Sequence, residues 1–232
     1  MKKPYIFLIL ILAFVFGQVG LVIAHNDIIE DDNVAQVQQT EPQLQQDTEL
    51  VIEAKDKPVL LKAKAYTRKQ TENMKLAYEV GEELGHGHTM QAILLQETIA
   101  GEGHTIGNQA SPVGKRSYGL MQVQVVAARS VLQRYPEVYQ KYFGDRPYRK
   151  VMDEEIIALL LTNKEASMRI ATYNFDLMMK LTKGSWHRAV AAYNAGIGNA
   201  LQMKEPSKFG YVRDVALKVH NVVKPFNKEI GL

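Results

Sequence analysis

A chain of 232 residues, 46% of them hydrophobic, has material for one sizeable core with extensions and is too short for two full domains. The absence of cysteine excludes a thiol nucleophile, a disulfide framework and a lipidated cysteine anchor. A formal charge of +3 conceals an acidic segment set against a basic remainder, and that split bears on the partner.

Lys2 and Lys3 precede an apolar run from Tyr5 to Phe16, and the stretch closes on Val22-Ile23-Ala24. Residues 1–24 therefore read as a signal peptide cleaved after Ala24, or as an uncleaved N-terminal anchor in which residues 5–24 hold the chain to the inner membrane. Either reading exports the remainder to the periplasm or cell envelope. Residues 25–70 read as an acidic, Gln-rich linker. From 25 to 58 nine acids face only Lys55 and Lys57, a net charge of −7, with no aromatic residue; such a segment cannot bury enough surface to offset its ordering entropy and is expected to be a disordered tether. Residues 59–232 then carry 24 basic and 16 acidic residues, net +8, which suits an anionic polymer outside the cytoplasm. No nucleic-acid motif accompanies that charge, and export argues against such a partner.

From about residue 71 to 224 the periodicity is helical throughout. Leu76, Val80 and Leu84 mark a first helix stopped by Gly85, and Thr89 is placed to cap a second. A third follows Gly119 with Met121, Val125, Ala128 and Leu132 in register. Asp153 is placed to cap a helix from Glu154 to Thr162. The next, from Lys164, sets Ile170, Tyr173, Leu177 and Leu181 on one side before Gly184. Trp186 to Ala195 is short and ends at Gly196. A last amphipathic helix carries Val212, Val215, Val219 and Val222 and closes before Pro225, leaving residues 225–232 as a C-terminal tail. Loops at 101–118 and 134–152 are polar and aromatic, the kind that line a cleft, and a small β-hairpin can hide in the first. The fold class is all-α.

In the second helix Met90, Ile93, Leu94 and Glu97 share one face at about 100° per residue, so a carboxyl lies on the stripe that must meet the core. Desolvation there disfavours the ionised form and keeps the acid protonated toward neutral pH, ready to donate to a leaving group. A Glu in a last turn can also simply face water. The motifs that follow decide between these: Ser111-Pro112-Val113-Gly114, then Gly119-Leu120-Met121-Gln122, then Tyr193-Asn194-Ala195-Gly196, then Tyr211-Val212.

Glu97 and those four segments, in that order, resemble the soluble-type lytic transglycosylases, whose domain has a goose-lysozyme-like fold and cleaves peptidoglycan glycan strands. Thr98 stands where the family usually has Ser, keeping the hydroxyl and adding a stiff methyl. The resemblance implies that Glu97 acts first as acid and then as base, while the C6 hydroxyl of N-acetylmuramic acid is the nucleophile and leaves 1,6-anhydro ends. It further implies that Ser111, Met121, Gln122, Tyr193 and Asn194 bind substrate, with Met121 and Gln122 as a sugar-contacting wall. Tyr193 is the expected hydrogen-bond partner of the reacting region. No cofactor is implied. His86, His88 and His104 lack a supporting acid at metal-ligand spacing, so no metal site is expected. Two other readings stay open: an accessory peptidoglycan-binding component of an envelope-spanning secretion or phage machine, and a hydrolytic muramidase.

Overall fold

The structure is a computed structural model that describes residues 66–232; the signal or anchor and the linker up to residue 65 lie outside the described residues. Helix α1 (Arg68–Glu82) opens on a capping box. Thr67 Oγ1 accepts the Gln70 N–H at 3.2 Å and the Gln70 side chain accepts the Thr67 N–H at 2.9 Å, so the helix starts ahead of the expected linker boundary. Helix α2 (Gly87–Thr98) packs against it through Gly81, where an added Cβ would come within 2.9 Å of Gly87 Cα. Nine of the twelve residues of α2 are buried. Thr89 does not cap this helix, which begins two residues earlier; its hydroxyl instead accepts the indole N–H of Trp186 at 3.0 Å.

The third helix does not follow Gly119. Strands β1 (Ser117–Tyr118) and β2 (Val123–Gln124) pair antiparallel, with Ser117 opposite Gln124 and Tyr118 opposite Val123, and Ile106 bridges to Tyr118. Gly119 (φ +77°) and Gln122 (φ +48°) turn the chain between them in a conformation no helix start can adopt. Helix α3 (Val125–Arg134) begins only after β2. The expected loop at 134–152 holds helix α4 (Pro136–Phe143), with proline in the first turn where its missing N–H costs nothing, and a 3₁₀ turn at Tyr148–Lys150.

Helices α5 (Asp153–Thr162) and α6 (Lys164–Leu181) run where the periodicity puts them. Asp153, however, lies inside α5, and it is Glu155 that accepts the Met152 N–H at 2.9 Å. Asn163 caps α6 by accepting the Ala166 N–H at 3.0 Å. Helix α7 (Trp186–Ala195) ends at Gly196, and α8 (Ile197–Gln202) follows at once. Helix α9 (Gly210–Lys218) runs through a π turn at Val219–Val223 into α10 (Lys224–Ile230).

Pro225 therefore does not end the last helix. The π turn loosens the backbone ahead of it, and Pro225 falls in the first turn of α10. Residues 225–232 are correspondingly no free tail. Phe226 and Asn227 are buried, and the amides of Asn227 and Gln91 exchange two hydrogen bonds of 2.8 Å that tie α10 to α2. Among the described residues the architecture is all-α with one small hairpin, and no helix is long and apolar enough to cross a membrane.

Candidate active site

Glu97 occupies the last turn of α2, and the chain leaves that turn under strain. Ile99 (φ +53°), Ala100 (φ +58°) and Gly101 (φ +93°) are consecutive left-handed residues, a conformation costly for a β-branched side chain and worth about 1–3 kcal/mol where it is imposed. Side chains of α1 hold it: Gln70 Nε2 donates to the Ile99 carbonyl at 3.0 Å and Asn73 Nδ2 to that of Ala100 at 2.8 Å. A side chain at Gly101 would strike Asn73 and Leu120. The turn directs the backbone away from the cleft and leaves Glu97 on its wall.

The hairpin is fastened to the same helix end. Thr98, buried, donates its hydroxyl to the Leu120 carbonyl at 2.9 Å and accepts the Gly101 N–H at 3.1 Å. The hydroxyl shared by Ser and Thr at this position thus bonds two backbone segments. Gly119 packs so closely on α5 that an added Cβ would lie 2.3 Å from the Leu160 carbonyl oxygen. From the other side Tyr193, on α7, donates its hydroxyl to the Met121 carbonyl at 2.7 Å.

A cleft of about 470 Å³ opens between the hairpin, α3, α6 and the end of α7. Glu97, Gln122, Tyr193 and Asn194 all line it, together with Ser117 of β1. The Gln122 amide is held in place, donating to the Gly119 carbonyl at 2.9 Å and accepting the Ser117 hydroxyl at 2.8 Å. Glu97 is the one carboxylate among the described residues of the lining. Val126 and Leu181, 65% and 52% exposed, give the cleft an apolar rim.

Two expected site residues lie elsewhere. The Met121 side chain is fully buried, so it is core and not a sugar-contacting wall; the turn sends it inward beside the hairpin and leaves only its carbonyl to meet Tyr193. Ser111 is not among the lining residues. It sits in the loop before the hairpin, where its carbonyl accepts from Arg116 Nε at 2.6 Å, and that loop is stapled to itself as Arg116 also reaches the Gln109 carbonyl.

The direct partner of Glu97 is Tyr211, at the start of α9, which donates its hydroxyl to Glu97 Oε1 at 2.5 Å. Tyr193, expected to hydrogen-bond the reacting region, lines the cleft and gives its hydroxyl hydrogen to the Met121 carbonyl. The Tyr211-Val212 pair was visible in the sequence, but nothing in its spacing showed that a residue 114 positions downstream returns to the acid. Burial raises the pKa of Glu97, and the hydrogen bond from Tyr211 offsets part of that rise. Burial, and then the nearby Glu97, push the phenols of Tyr193 and Tyr211 well above their ordinary range, so both stay neutral donors. The site thus holds a half-buried acid inclined to keep its proton, with a neutral hydroxyl set against it.

The histidines considered as ligands are dispersed: His86 packs edge-on to Phe175 near Asp176, and His88 edge-on to Tyr78. Among the described residues no group of His, Asp or Glu is arranged to hold a metal ion.

The family model of the transglycosylase SLT domain matches residues 91–210, from within α2 to the first residue of α9. No match was found among curated proteins or solved structures. The matched segment is just over half of the chain and encloses Glu97, the hairpin and α7. The chain belongs to the transglycosylase SLT domain family, a lysozyme-like fold that acts on peptidoglycan.

Proposed function

We propose that the protein is an exported lytic transglycosylase that cleaves the β-1,4 bond between N-acetylmuramic acid and N-acetylglucosamine, acting in the periplasm or cell envelope. The reading is supported above all by Glu97: a carboxyl with a raised pKa, on the wall of a cleft whose described lining holds no second acid. Hydrolysis by the inverting route uses two carboxylates about 6.5–9.5 Å apart, and by the retaining route two about 5–5.5 Å apart. One carboxyl suffices when the nucleophile belongs to the substrate. Protonated Glu97 gives its proton to the glycosidic oxygen as the C1–O bond breaks. The carboxylate then takes the proton of the muramic C6 hydroxyl as that oxygen bonds to C1, which restores the acid and consumes no water. Tyr211 steadies the carboxylate between the two steps, while Gln122, Tyr193 and Asn194 shape the sugar-binding wall.

Mass analysis of fragments released from purified sacculi tests this directly. The expected products end in 1,6-anhydromuramic acid, lighter by one water than hydrolysed ends and without a reducing terminus. Products dominated by reducing muramic ends would move the protein to the muramidases, and no fragments at all would favour an accessory, non-catalytic role.

A further inference from the structure

A second, shallower groove of about 600 Å³ lies beside the cleft, lined by Val126, Arg129, Ser130, Gln133, Arg134 and Tyr148. Val126 and Ser130 line both, so the two are continuous. Val126, Arg129, Ser130 and Gln133 follow one another at helical spacing along a single face of α3. At about 1.5 Å of rise per residue, that row carries the groove roughly 10 Å away from the cleft. An extended peptide of about three residues covers the same distance.

The groove is cationic and ordered. Arg129 is fixed by Asp153, at 2.5 Å, and by the Val151 carbonyl, and lies over the Tyr148 ring, 5.8 Å from its centroid; the Tyr148 hydroxyl in turn donates to the Arg129 carbonyl. Arg134 is exposed and has no carboxylate partner among the described residues. Arg149, next to Tyr148 in the chain, has none either. Of the two arginines that line the groove, Asp153 neutralises Arg129, and Arg134 leaves the groove a surplus of positive charge. A neutral sugar gains nothing from such a surplus; a carboxylate does.

We propose that this groove binds the short peptide carried by the glycan strand, with Arg134 meeting its carboxylates while the sugar occupies the Glu97 cleft. The assignment rests on the peptidoglycan-cleaving reading and adds to it a preference for peptide-bearing strands over bare ones. The row on α3 sets the direction in which the peptide leaves the sugar, and Gln133 offers its amide to the peptide backbone.

The test measures kcat/KM on peptide-bearing strands and on strands stripped of peptide by an amidase, whose freed lactyl carboxylates are then capped as methylamides, for the full chain and its Arg134→Glu and Arg134→Lys variants. The wild type should prefer the peptide-bearing strands. Arg134→Glu should reduce that ratio roughly three- to tenfold, the scale of reversing one solvent-exposed ion pair, while Arg134→Lys keeps most of it. Salt should erode the wild-type ratio. Co-sedimentation of Glu97→Gln protein with intact and stripped sacculi gives the same comparison without turnover, and adding Arg134→Glu should remove the difference. Equal ratios, or equal co-sedimentation, in the presence and absence of Arg134 overturn the groove assignment and leave the catalytic reading standing. Failure of the wild type to cut either strand overturns both.

Discussion

Glu97→Gln separates the two properties that burial gives this residue. As general acid it should contribute about 10²–10⁴-fold to the rate, so wall degradation by the variant should fall by at least that much. Its effect on stability runs the other way. Burial raises the folded-state pKa of Glu97 above the unfolded value, so the stability it allows is fully present below the unfolded pKa and is lost as pH rises through the folded one. Gln at this position is neutral at every pH and can still accept from Tyr211. The variant should melt higher than the wild type at about pH 8 and converge with it near pH 4, as read by thermal unfolding across that range. Wild-type activity, or a stability difference independent of pH, would count against the assignment. Tyr211→Phe tests the partner. Its hydroxyl favours the ionised carboxylate, so removing it should move the high-pH limb of kcat/KM upward. An unmoved limb would mean that Tyr211 does not set the proton affinity of the acid.

Between elements, the hydroxyl of Thr98 is the joint that ties the hairpin to α2. Thr98→Val keeps the volume but leaves the buried Leu120 carbonyl without its partner, a cost of about 1–3 kcal/mol, while the Gly101 N–H keeps its bond to the Thr98 carbonyl at 2.9 Å. Thr98→Ser keeps both bonds and loses one buried methyl, about 1 kcal/mol. Urea titration of the three proteins should rank them Thr, Ser, Val, and Val at or above Ser would remove the hydroxyl from its structural role. The same region shows why part of the site was legible in the sequence and part was not. Helices α5, α6 and α7 declare themselves because their apolar stripes hold a 3.6-residue period over their length. Leu120 and Met121 satisfy that period too, yet Gln122 is left-handed, and no glycine stands there to signal the turn. Met121 was accordingly placed in a third helix when it stands in the hairpin turn, and the wall role that the resemblance implied for it gives way to a place in the core. Thr89 was misplaced because α2 starts at Gly87, whose N–H is accepted by Glu82 of α1 at 3.2 Å and not by an N-cap side chain. The sequence also made the acid of the site visible through its place on an apolar stripe, while the return of Tyr211 to it depends on tertiary packing that no local pattern carries.

At the scale of the whole molecule, residues 225–232 are anchored to the core through Phe226 and Asn227 although Pro225 suggests an end. Their deletion removes Phe226 from its contact with Tyr66 and strips the buried Gln91 amide of its partner in Asn227. Losing a buried aromatic costs about 3–5 kcal/mol and an unsatisfied buried amide about 1–3 more, which rivals the stability of many whole domains. A chain ending at Lys224 should yield little soluble protein, and Asn227→Leu in the full chain should melt well below the wild type; a truncated chain as stable as the full one would return this segment to the status of a tail. The place of Glu97 in the last turn of α2 has a consequence of another kind. The C-terminal end of a helix, with its unpaired carbonyls, is the negative end of its macrodipole, and an acid there is disfavoured in its charged form by about 0.3–1 kcal/mol. That field comes from peptide groups inside a buried helix, where dissolved ions screen poorly, whereas Arg134 faces open solvent. Rising ionic strength should therefore leave the proton affinity of Glu97 nearly unchanged while blunting the strand preference proposed for Arg134, two effects that kcat/KM on the two kinds of strand at low and high salt reads apart.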